Sequence, residues 1–191
     1  ALMVCCFSPS AELMAASLKA DESLRAALDG TVRAADAGLA TELTLGVLRW
    51  QRLLDFLIDR NLTKKSKALD VEVQIALRMG VYQLYFLDRV PAHAAVHESV
   101  ELVKKARKRS AAPLVNAVLR KVAKWPIRAG TTGEAIASLL PRDLPLAESL
   151  GIHYSHPTWL VERWLHTFGD ARTRALLDAN NRVPAFSVYL L

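Results

Sequence analysis

Residues 70–87 read DVEVQIALRMGVYQLYFL, and this stretch decides the fold. Its apolar side chains are spaced so that they surround most of a helix: Val73, Leu77, Val81, Leu84 and Phe86. A helix that is apolar on nearly every side is buried, so the stretch predicts a central helix among other helices. We expect Asp70 to cap its start. Gly80 costs roughly 1 kcal/mol relative to alanine inside a helix, which predicts that a neighbouring helix approaches closely there.

The preceding residues, from Ala34 to Asn61, predict one long helix or two helices with a bend between them. Apolar residues recur along this segment with helical period: Leu43, Val47, Trp50, Leu54 and Leu57. Four charged residues lie within a turn or two of one another: Arg49, Arg52, Asp55 and Asp59. Ion pairs within the helix are the simplest interpretation of these charges.

Prolines mark two helices after the central one. Pro91 opens a helix that carries three valines on one side: Val96, Val100 and Val103. Pro113 starts another helix, which ends at Pro126. Its inward-facing residues are Val115, Val118, Val122 and Trp125.

The two ends of the chain are less regular. Residues 11–28 are rich in alanine and leucine and predict one or two short helices, whereas the glycines and prolines of residues 128–145 predict a linker with room for one helical turn. Pro157 then begins a helix, and a short helix follows over residues 171–180. The first of these has an aromatic face: Trp159, Leu160, Trp164, Leu165 and Phe168. Because weak alternation at residues 186–191 is the only strand signal, the sequence predicts an all-α fold.

Composition argues against several classes of protein. Of the 191 residues, 52% are hydrophobic, which is enough for a core. The longest apolar run, Leu2 to Phe7, is far shorter than the ~20 residues that span a bilayer, and no basic stretch precedes it as in a signal peptide. The two cysteines, Cys5 and Cys6, are adjacent, which argues against a disulfide scaffold and a structural zinc site. We therefore expect a cytoplasmic protein.

The net charge of +6 is unevenly distributed. Residues 1–130 contain 20 Lys and Arg against 13 Asp and Glu, whereas residues 131–191 contain 5 against 6. The excess therefore belongs to the front part of the chain. It favours either a polyanion partner or a surface that keeps the protein soluble.

The most informative basic region lies between Glu101 and Lys124, where eight Lys and Arg accompany one acidic residue. The run at residues 104–109 ends one helix, while Asn116, Arg120 and Lys124 form a polar stripe opposite the valines of the next. Cations near a helix C-terminus also complement its dipole, but five charges in six residues exceed what a dipole needs. We predict that both features converge on one phosphate-binding surface. Its RNA-binding residues would be Lys104, Lys105, Arg107, Lys108, Arg109, Arg120, Lys121 and Lys124.

Other candidate sites are weaker. Lys64, Lys65 and Lys67 form a second basic cluster, which we interpret as a solvated loop. His93 and His97 have the i, i+4 spacing that zinc uses, but no third ligand accompanies them. Four aromatic residues could stack on bases but have the spacing of core residues: Trp50, Tyr82, Tyr85 and Trp125. With neither a glycine-rich nucleotide loop nor a Ser/His/Asp set, the sequence predicts no catalytic, metal-binding or cofactor-binding residue.

Six blocks of the sequence, in this order, resemble NusB-type domains. They are ATELTLGVLR (40–49), LDFLI (54–58), ALRMGVYQL (76–84), VPAHAAV (90–96), ESVELVK (98–104) and LVNAVLRK (114–121). Each block alone is a weak signal, whereas their combination is specific. The resemblance implies a NusB-like helical bundle that binds RNA.

Two later blocks, HPTWLVERW (156–164) and ANNRVP (179–184), have no counterpart in NusB itself. They are similar to the segment that joins the RNA-binding and catalytic domains of RsmB-type (Sun) 16S ribosomal RNA cytosine-5 methyltransferases, and the resemblance covers about residues 24–191. Enzymes of that family use S-adenosylmethionine on a Rossmann-like domain, with a Thr-Cys nucleophile and a Pro-Cys partner. This chain contains neither pair. Residues 1–20 also depart from the pattern, since Lys19 stands as their one basic residue where relatives usually begin with an arginine-containing helix.

The resemblance implies an organisation and a function. Residues 11–128 would form a NusB-like RNA-binding domain, and residues 129–191 a linker and helical connector to a methyltransferase domain absent from this chain. The chain itself would be non-catalytic and would position ribosomal RNA for that domain, where a cysteine attacks C6 of cytosine and S-adenosylmethionine methylates C5. The expected partners are ribosomal RNA and the protein's own methyltransferase domain, with neither a membrane nor DNA. A NusB-type transcription antitermination protein and a helical protein-interaction module are the alternatives.

Overall fold

A computed structural model describes residues 34–63, 65–125 and 132–182 of the chain. The predicted helices of residues 11–28 and the strand candidate of residues 186–191 lie outside these ranges. Within them all regular structure is helical, which confirms the predicted all-α fold. The helices are α1 (Ala34–Arg49), α2 (Gln51–Asp59), α3 (Val71–Phe86), α4 (Ala92–Lys105), α5 (Ala112–Val122), α6 (Thr132–Leu139), α7 (Leu146–His153) and α8 (Thr158–Asn181), with 3-10 turns at Ser66–Ala68 and Arg109–Ala111.

The contacts between residues divide the chain into two compact units, residues 1–49 and residues 50–191. Helix α1 belongs to the first unit and the other described helices to the second. Of the two predicted arrangements for residues 34–61, the two-helix one is confirmed. The chain leaves helical geometry at Trp50, whose φ is −101° and ψ 13°.

Helix α3 is the centre of the second unit, as predicted. It packs against α2, α4 and α5, and Val73, Leu77 and Val81 are at most 1% exposed. Asp70 occupies the predicted N-cap position, but the predicted capping bond is wrong. The Asp70 carboxylate instead pairs with Lys108 at 2.9 Å, an interaction across the bundle that no local pattern reveals.

Helices α3 and α5 run parallel to each other. The Asp70–Lys108 ion pair joins the start of α3 to the residues just before α5. At the other end, the buried Tyr85 hydroxyl donates to the carbonyl oxygen of Val122 at 2.8 Å. Because α4 connects the end of α3 to the start of α5, it runs in the opposite direction.

Gly80 explains how closely these helices pack. A Cβ atom built on it would lie 2.6 Å from Leu119 Cδ1 on α5 and 2.7 Å from Ser99 Oγ on α4. Both side chains are buried, so neither can easily move aside. The predicted close approach of a neighbouring helix is confirmed, and two helices approach rather than one.

Replacing Gly80 by alanine is expected to lower the free energy of unfolding, measured in urea. Helix propensity alone would stabilise the variant by about 1 kcal/mol, but overpacking costs about 1–3 kcal/mol, so we expect a net loss of about 1 kcal/mol. Adding Ser99→Ala, which removes one of the two contacts, should recover part of that loss. A Gly80→Ala variant more stable than the parent would contradict this packing.

Residues 132–182 contain more helix than the sequence predicted. The predicted linker at 128–145 contains a longer helix than the single turn expected, since α6 occupies Thr132–Leu139, whereas residues 140–145 are non-helical and α7 begins directly after Pro145. Proline is favoured at helix starts, and here it precedes a helix instead of marking a loop. The prediction of two helices after Pro157 is confirmed, because Gly169, with φ 74° and ψ 174°, breaks α8 into two parts.

A small core holds α7 and both parts of α8 together. It consists of Ala147, Leu150, Val161 and Leu177. Of the predicted aromatic face, Trp164 and Leu165 pack against this core and Leu160 is buried. Trp159 and Phe168 are 52% and 45% exposed. The face is therefore divided, because residues 159 and 168 project from different sides of the helix.

Arg52 fastens the turn between α7 and α8 to α2. Its guanidinium donates to the carbonyl oxygen of His156 and, at 2.7 Å, to Thr158 Oγ1. Its backbone N–H donates to Ser155 Oγ at 3.0 Å. A Cβ atom on Gly151 would lie 2.6 Å from this guanidinium, so the close approach requires glycine there. Burial lowers the pKa of Arg52, and the nearby Glu148 carboxylate opposes that shift.

The predicted ion pairs within the segment around α2 are therefore wrong. Asp55 pairs instead with Arg78 of α3 through two hydrogen bonds, of 2.7 and 2.8 Å. Asp59 accepts a hydrogen bond from the backbone N–H of Ser66 at 2.6 Å. Each charged group of α2 is thus used to hold a neighbouring segment. None of the described helices is long and apolar enough to cross a membrane.

Candidate nucleic-acid interface

The predicted RNA-binding residues lie on the surface of α4, α5 and the turn between them. Lys108 is partly exposed and the other seven are exposed. Of the predicted polar stripe, Arg120 on α5 and Lys124 just after it are exposed, whereas Asn116 is partly buried. No acidic residue occurs between positions 102 and 133 to offset these charges.

The eight residues form two groups rather than one. We call Lys104, Lys105, Arg107, Lys108 and Arg109 the loop cluster, and Arg120, Lys121 and Lys124 the helix cluster. The two lie at opposite ends of α5. Since a helix rises 1.5 Å per residue, Arg120 lies about 12 Å along the axis from Ala112, the first residue of α5. This exceeds the Debye length of about 8 Å at physiological salt, so the clusters act as two separate patches along one helix.

Two members of the loop cluster form ion pairs. Lys104 binds Glu101 at 2.7 Å and Lys108 binds Asp70 at 2.9 Å. The hydrogen bond from Lys104 lowers the pKa of Glu101, and the hydrogen bond to Asp70 raises the pKa of Lys108. Both pairs are solvent-exposed, so they are weak and a phosphate can compete for them. The remaining six cations form no ion pair with any described residue.

Arg107 occupies a backbone conformation that favours glycine. Its φ is +62°, in the turn that ends α4. The N–H of Arg107 donates to Lys104 O at 3.1 Å and the N–H of Lys108 donates to Val103 O at 3.0 Å. These bonds form a Schellman motif, in which this position is usually glycine. An arginine in this conformation costs stability relative to glycine.

Replacing Arg107 by glycine is expected to stabilise the fold while weakening RNA binding. Relief of the left-handed backbone should raise the free energy of unfolding by about 1 kcal/mol. Loss of one phosphate contact should reduce RNA affinity about fivefold at about 0.1 M salt. Urea unfolding and fluorescence anisotropy measure the two effects. Unchanged affinity in a stabilised variant would remove Arg107 from the interface.

The predictions for the other candidate residues are mostly confirmed. Tyr82 and Tyr85 are 3% and 1% exposed, so they are core residues, and burial raises the pKa of Tyr85. Trp50 and Trp125 are only partly buried. Lys65 is exposed just before the Ser66–Ala68 turn and Lys67 is exposed within it, while Lys64 lies outside the described residues.

Within the described ranges, no group of three or more His, Cys, Asp or Glu side chains is arranged to hold a metal ion. His93 and His97 are both exposed. The absence of a metal site remains a prediction for the chain.

The second unit contains a cleft that the sequence did not predict. It has a volume of about 290 Å³ and opens to solvent. Its lining comes from segments far apart in sequence: Trp50, Phe86, Ile136, His153, Tyr154, Asp178, Asn181 and Arg182. The sequence feature that could have indicated this cleft is the ANNRVP block, which supplies Asn181 and Arg182. Burial lowers the pKa of His153, and the nearby Arg174 acts in the same direction.

Comparison with known proteins assigns the family. The sequence profile of the NusB family matches residues 8–124, a range that includes α1 to α5 and both basic clusters. The chain therefore belongs to the NusB family. The match ends before α6, α7 and α8.

Similar full-length proteins extend the match into those helices. Ribosomal RNA small subunit methyltransferase B of Pseudomonas putida is 37% identical over 178 residues, which are 92% of this chain and 37% of that protein. Proteins named probable ribosomal RNA small subunit methyltransferase B are 34% identical in Synechocystis and 33% identical in Bacillus subtilis. These matches cover 80% and 69% of this chain, and 32% and 27% of those proteins. The chain thus spans about a third of the length of these relatives.

Proposed function

We propose that this chain is an RNA-binding module that positions ribosomal RNA for a cytosine-5 methyltransferase domain of the same protein. The observation that carries the proposal is the pair of basic clusters on α4 and α5. Six of their cations are exposed and unpaired among the described residues, in a stretch without acidic residues. The names of the relatives supply the class of RNA and the transfer of a methyl group. The choice of cytosine C5 rests on the resemblance to RsmB-type enzymes.

Phosphate neutralisation is the binding mechanism that these residues support. Arginine and lysine side chains on a rigid helix displace the counterions of RNA, and the released counterions drive association. Such contacts fix where the RNA lies without reading its sequence. The RNA backbone would therefore be bound at two patches, one at each end of α5. Base selection would come from other contacts.

The methyl-transfer chemistry belongs to a different domain in this proposal. S-adenosylmethionine would supply the methyl group there, and none of the described residues is proposed to hold it. This chain's part is to bind RNA and to present it. We place the protein in the cytoplasm, with ribosomal RNA and its own methyltransferase domain as partners.

Helices α7 and α8 favour this function over that of an antitermination protein. They lie beyond the residues matched by the NusB family and are bonded to α2 through Arg52. A segment held in this way has a defined position relative to the basic clusters, because all of these elements belong to the second unit. That is what a module needs in order to present RNA to a following domain.

Two titrations test the proposal. Fluorescence anisotropy with fragments of small-subunit ribosomal RNA should show saturable binding at low salt. Calorimetry with S-adenosylmethionine should show no heat of binding, with or without RNA. Failure to bind RNA at low salt would refute the RNA-binding role, and a micromolar dissociation constant for S-adenosylmethionine would refute the non-catalytic one.

A further inference from the structure

The cleft of the second unit has aromatic walls. Tyr82 stacks on Phe86 with ring centroids 4.9 Å apart and planes 14° from parallel. Phe86 in turn stacks on Trp50 at 5.0 Å and 30°. The stack runs from buried Tyr82 to partly exposed Trp50, which lines the cleft. The rings of His153 and Tyr154, 4.6 Å apart, also line it.

The rim of the cleft is polar. Asn181 Nδ2 donates to the carbonyl oxygen of Tyr154 at 2.9 Å, which fixes the position of the amide. Asp178 and Arg182 form an exposed ion pair at 2.6 Å on the same edge. An amide, a carboxylate and a guanidinium offer the donors and acceptors that pair with the edges of bases. Apolar walls with a few polar groups at the rim are typical of a small-molecule or base-binding pocket.

The cleft lies at the same end of the bundle as the helix cluster. Phe86 is the last residue of α3, and the preceding Tyr85 is bonded to Val122 at the end of α5. Arg120, Lys121 and Lys124 surround Val122 in sequence. A strand of RNA held by the helix cluster would therefore pass this end of α3.

We propose that the cleft takes one unpaired base of the bound RNA, stacked against Trp50, an inference that rests on the proposed function. A base is planar and has a polar edge, which matches walls of aromatic rings and a rim of amide and charged groups. The adjoining cations favour RNA over a peptide, because each nucleotide carries a phosphate that they can neutralise. The cleft would then supply the base contact that the two basic clusters lack.

The test combines a protein variant with an RNA variant. Binding of a uridine octamer is compared with binding of the same octamer without bases, for the parent chain and for Trp50→Leu. Stacking of one base on an aromatic ring is worth roughly 5- to 150-fold in affinity. We expect Trp50→Leu to weaken binding of the octamer by a factor in that range and to leave binding of the base-free octamer unchanged. Phe168→Ala, which removes an exposed ring outside the cleft, is the matched control and should change neither affinity.

Each outcome separates this inference from the proposed function. If Trp50→Leu weakens both RNAs equally, or neither, while the parent still binds, the base-binding cleft is wrong and the RNA-binding role survives. If the parent binds neither RNA at low salt, both proposals fall. Because Trp50 lies at a helix boundary, its replacement could alter the fold, so Tyr154→Leu provides a second variant. Ultraviolet crosslinking of 5-iodouridine RNA tests the contact directly. Crosslinks at Trp50 or Tyr154 support the cleft, and crosslinks confined to other residues overturn it.

Discussion

Charge reversal of two residues in either basic cluster is expected to weaken RNA binding about 25-fold at about 0.1 M salt. The loop-cluster variant carries Lys105→Glu and Arg109→Glu, and the helix-cluster variant carries Arg120→Glu and Lys124→Glu. Each lost phosphate contact on single-stranded RNA removes about fivefold at that salt concentration. None of the four residues forms an ion pair with a described residue, so the fold should not change. Combining the variants should cost several hundredfold.

The matched control is Lys65→Glu with Lys67→Glu. It changes the net charge by the same amount, and both residues are exposed at the Ser66–Ala68 turn, which is not part of α4 or α5. The control should bind RNA within a few fold of the parent. Circular dichroism should show the same helicity in all variants. If the control loses binding and the two cluster variants keep it, the RNA lies on a different face.

Replacement of Arg52 by alanine is expected to lower the free energy of unfolding by about 3 kcal/mol. The variant loses two hydrogen bonds from a charged donor, to His156 O and Thr158 Oγ1, and each such bond contributes about 1.5–3 kcal/mol. The effect should be concentrated in α7 and α8, which these bonds hold to α2. Hydrogen exchange should accelerate at residues 146–181 more than in α3.

Arg174→Ala is the control for this experiment. Arg174 forms an exposed pair with Asp170 on the same helix, and such pairs contribute about 0.5 kcal/mol or less. In urea unfolding, Arg52→Ala should therefore lose several times as much free energy of unfolding as Arg174→Ala. If Arg52→Ala lowers the free energy of unfolding no more than the control does, packing alone holds α7 and α8 in place.

The sequence predicted the parts of the fold that depend on local periodicity. The apolar pattern of residues 70–87 identified α3 as the central helix, and Gly80 indicated the close approach of its neighbours. It could not show which charged side chains meet. Asp55 has one possible partner a turn away on its own helix, Arg52, yet it pairs with Arg78, 23 residues later. That choice is made by the packing of α2 on α3.

For the candidate site, the sequence predicted which residues lie on the surface better than it predicted how they are arranged. The eight basic residues are on the surface, but α5 separates them into two clusters, since one cluster precedes the start of this helix and the other lies at its end. The cleft was missed for a related reason. Trp50, Phe86, Tyr154 and Asn181 come from four segments that only tertiary packing brings together. Trp50 has the spacing of a core residue, and the structure leaves it partly exposed at the end of the aromatic stack.

The most direct test of the account is the salt dependence of RNA binding by this chain. If about five of the basic residues each neutralise one phosphate, the slope of log affinity against log salt concentration is about −3.5 for single-stranded RNA. Either double charge reversal should reduce the slope to about −2. A parent slope near zero, or a slope that neither reversal changes, would contradict the claim that α4 and α5 form an RNA-binding surface.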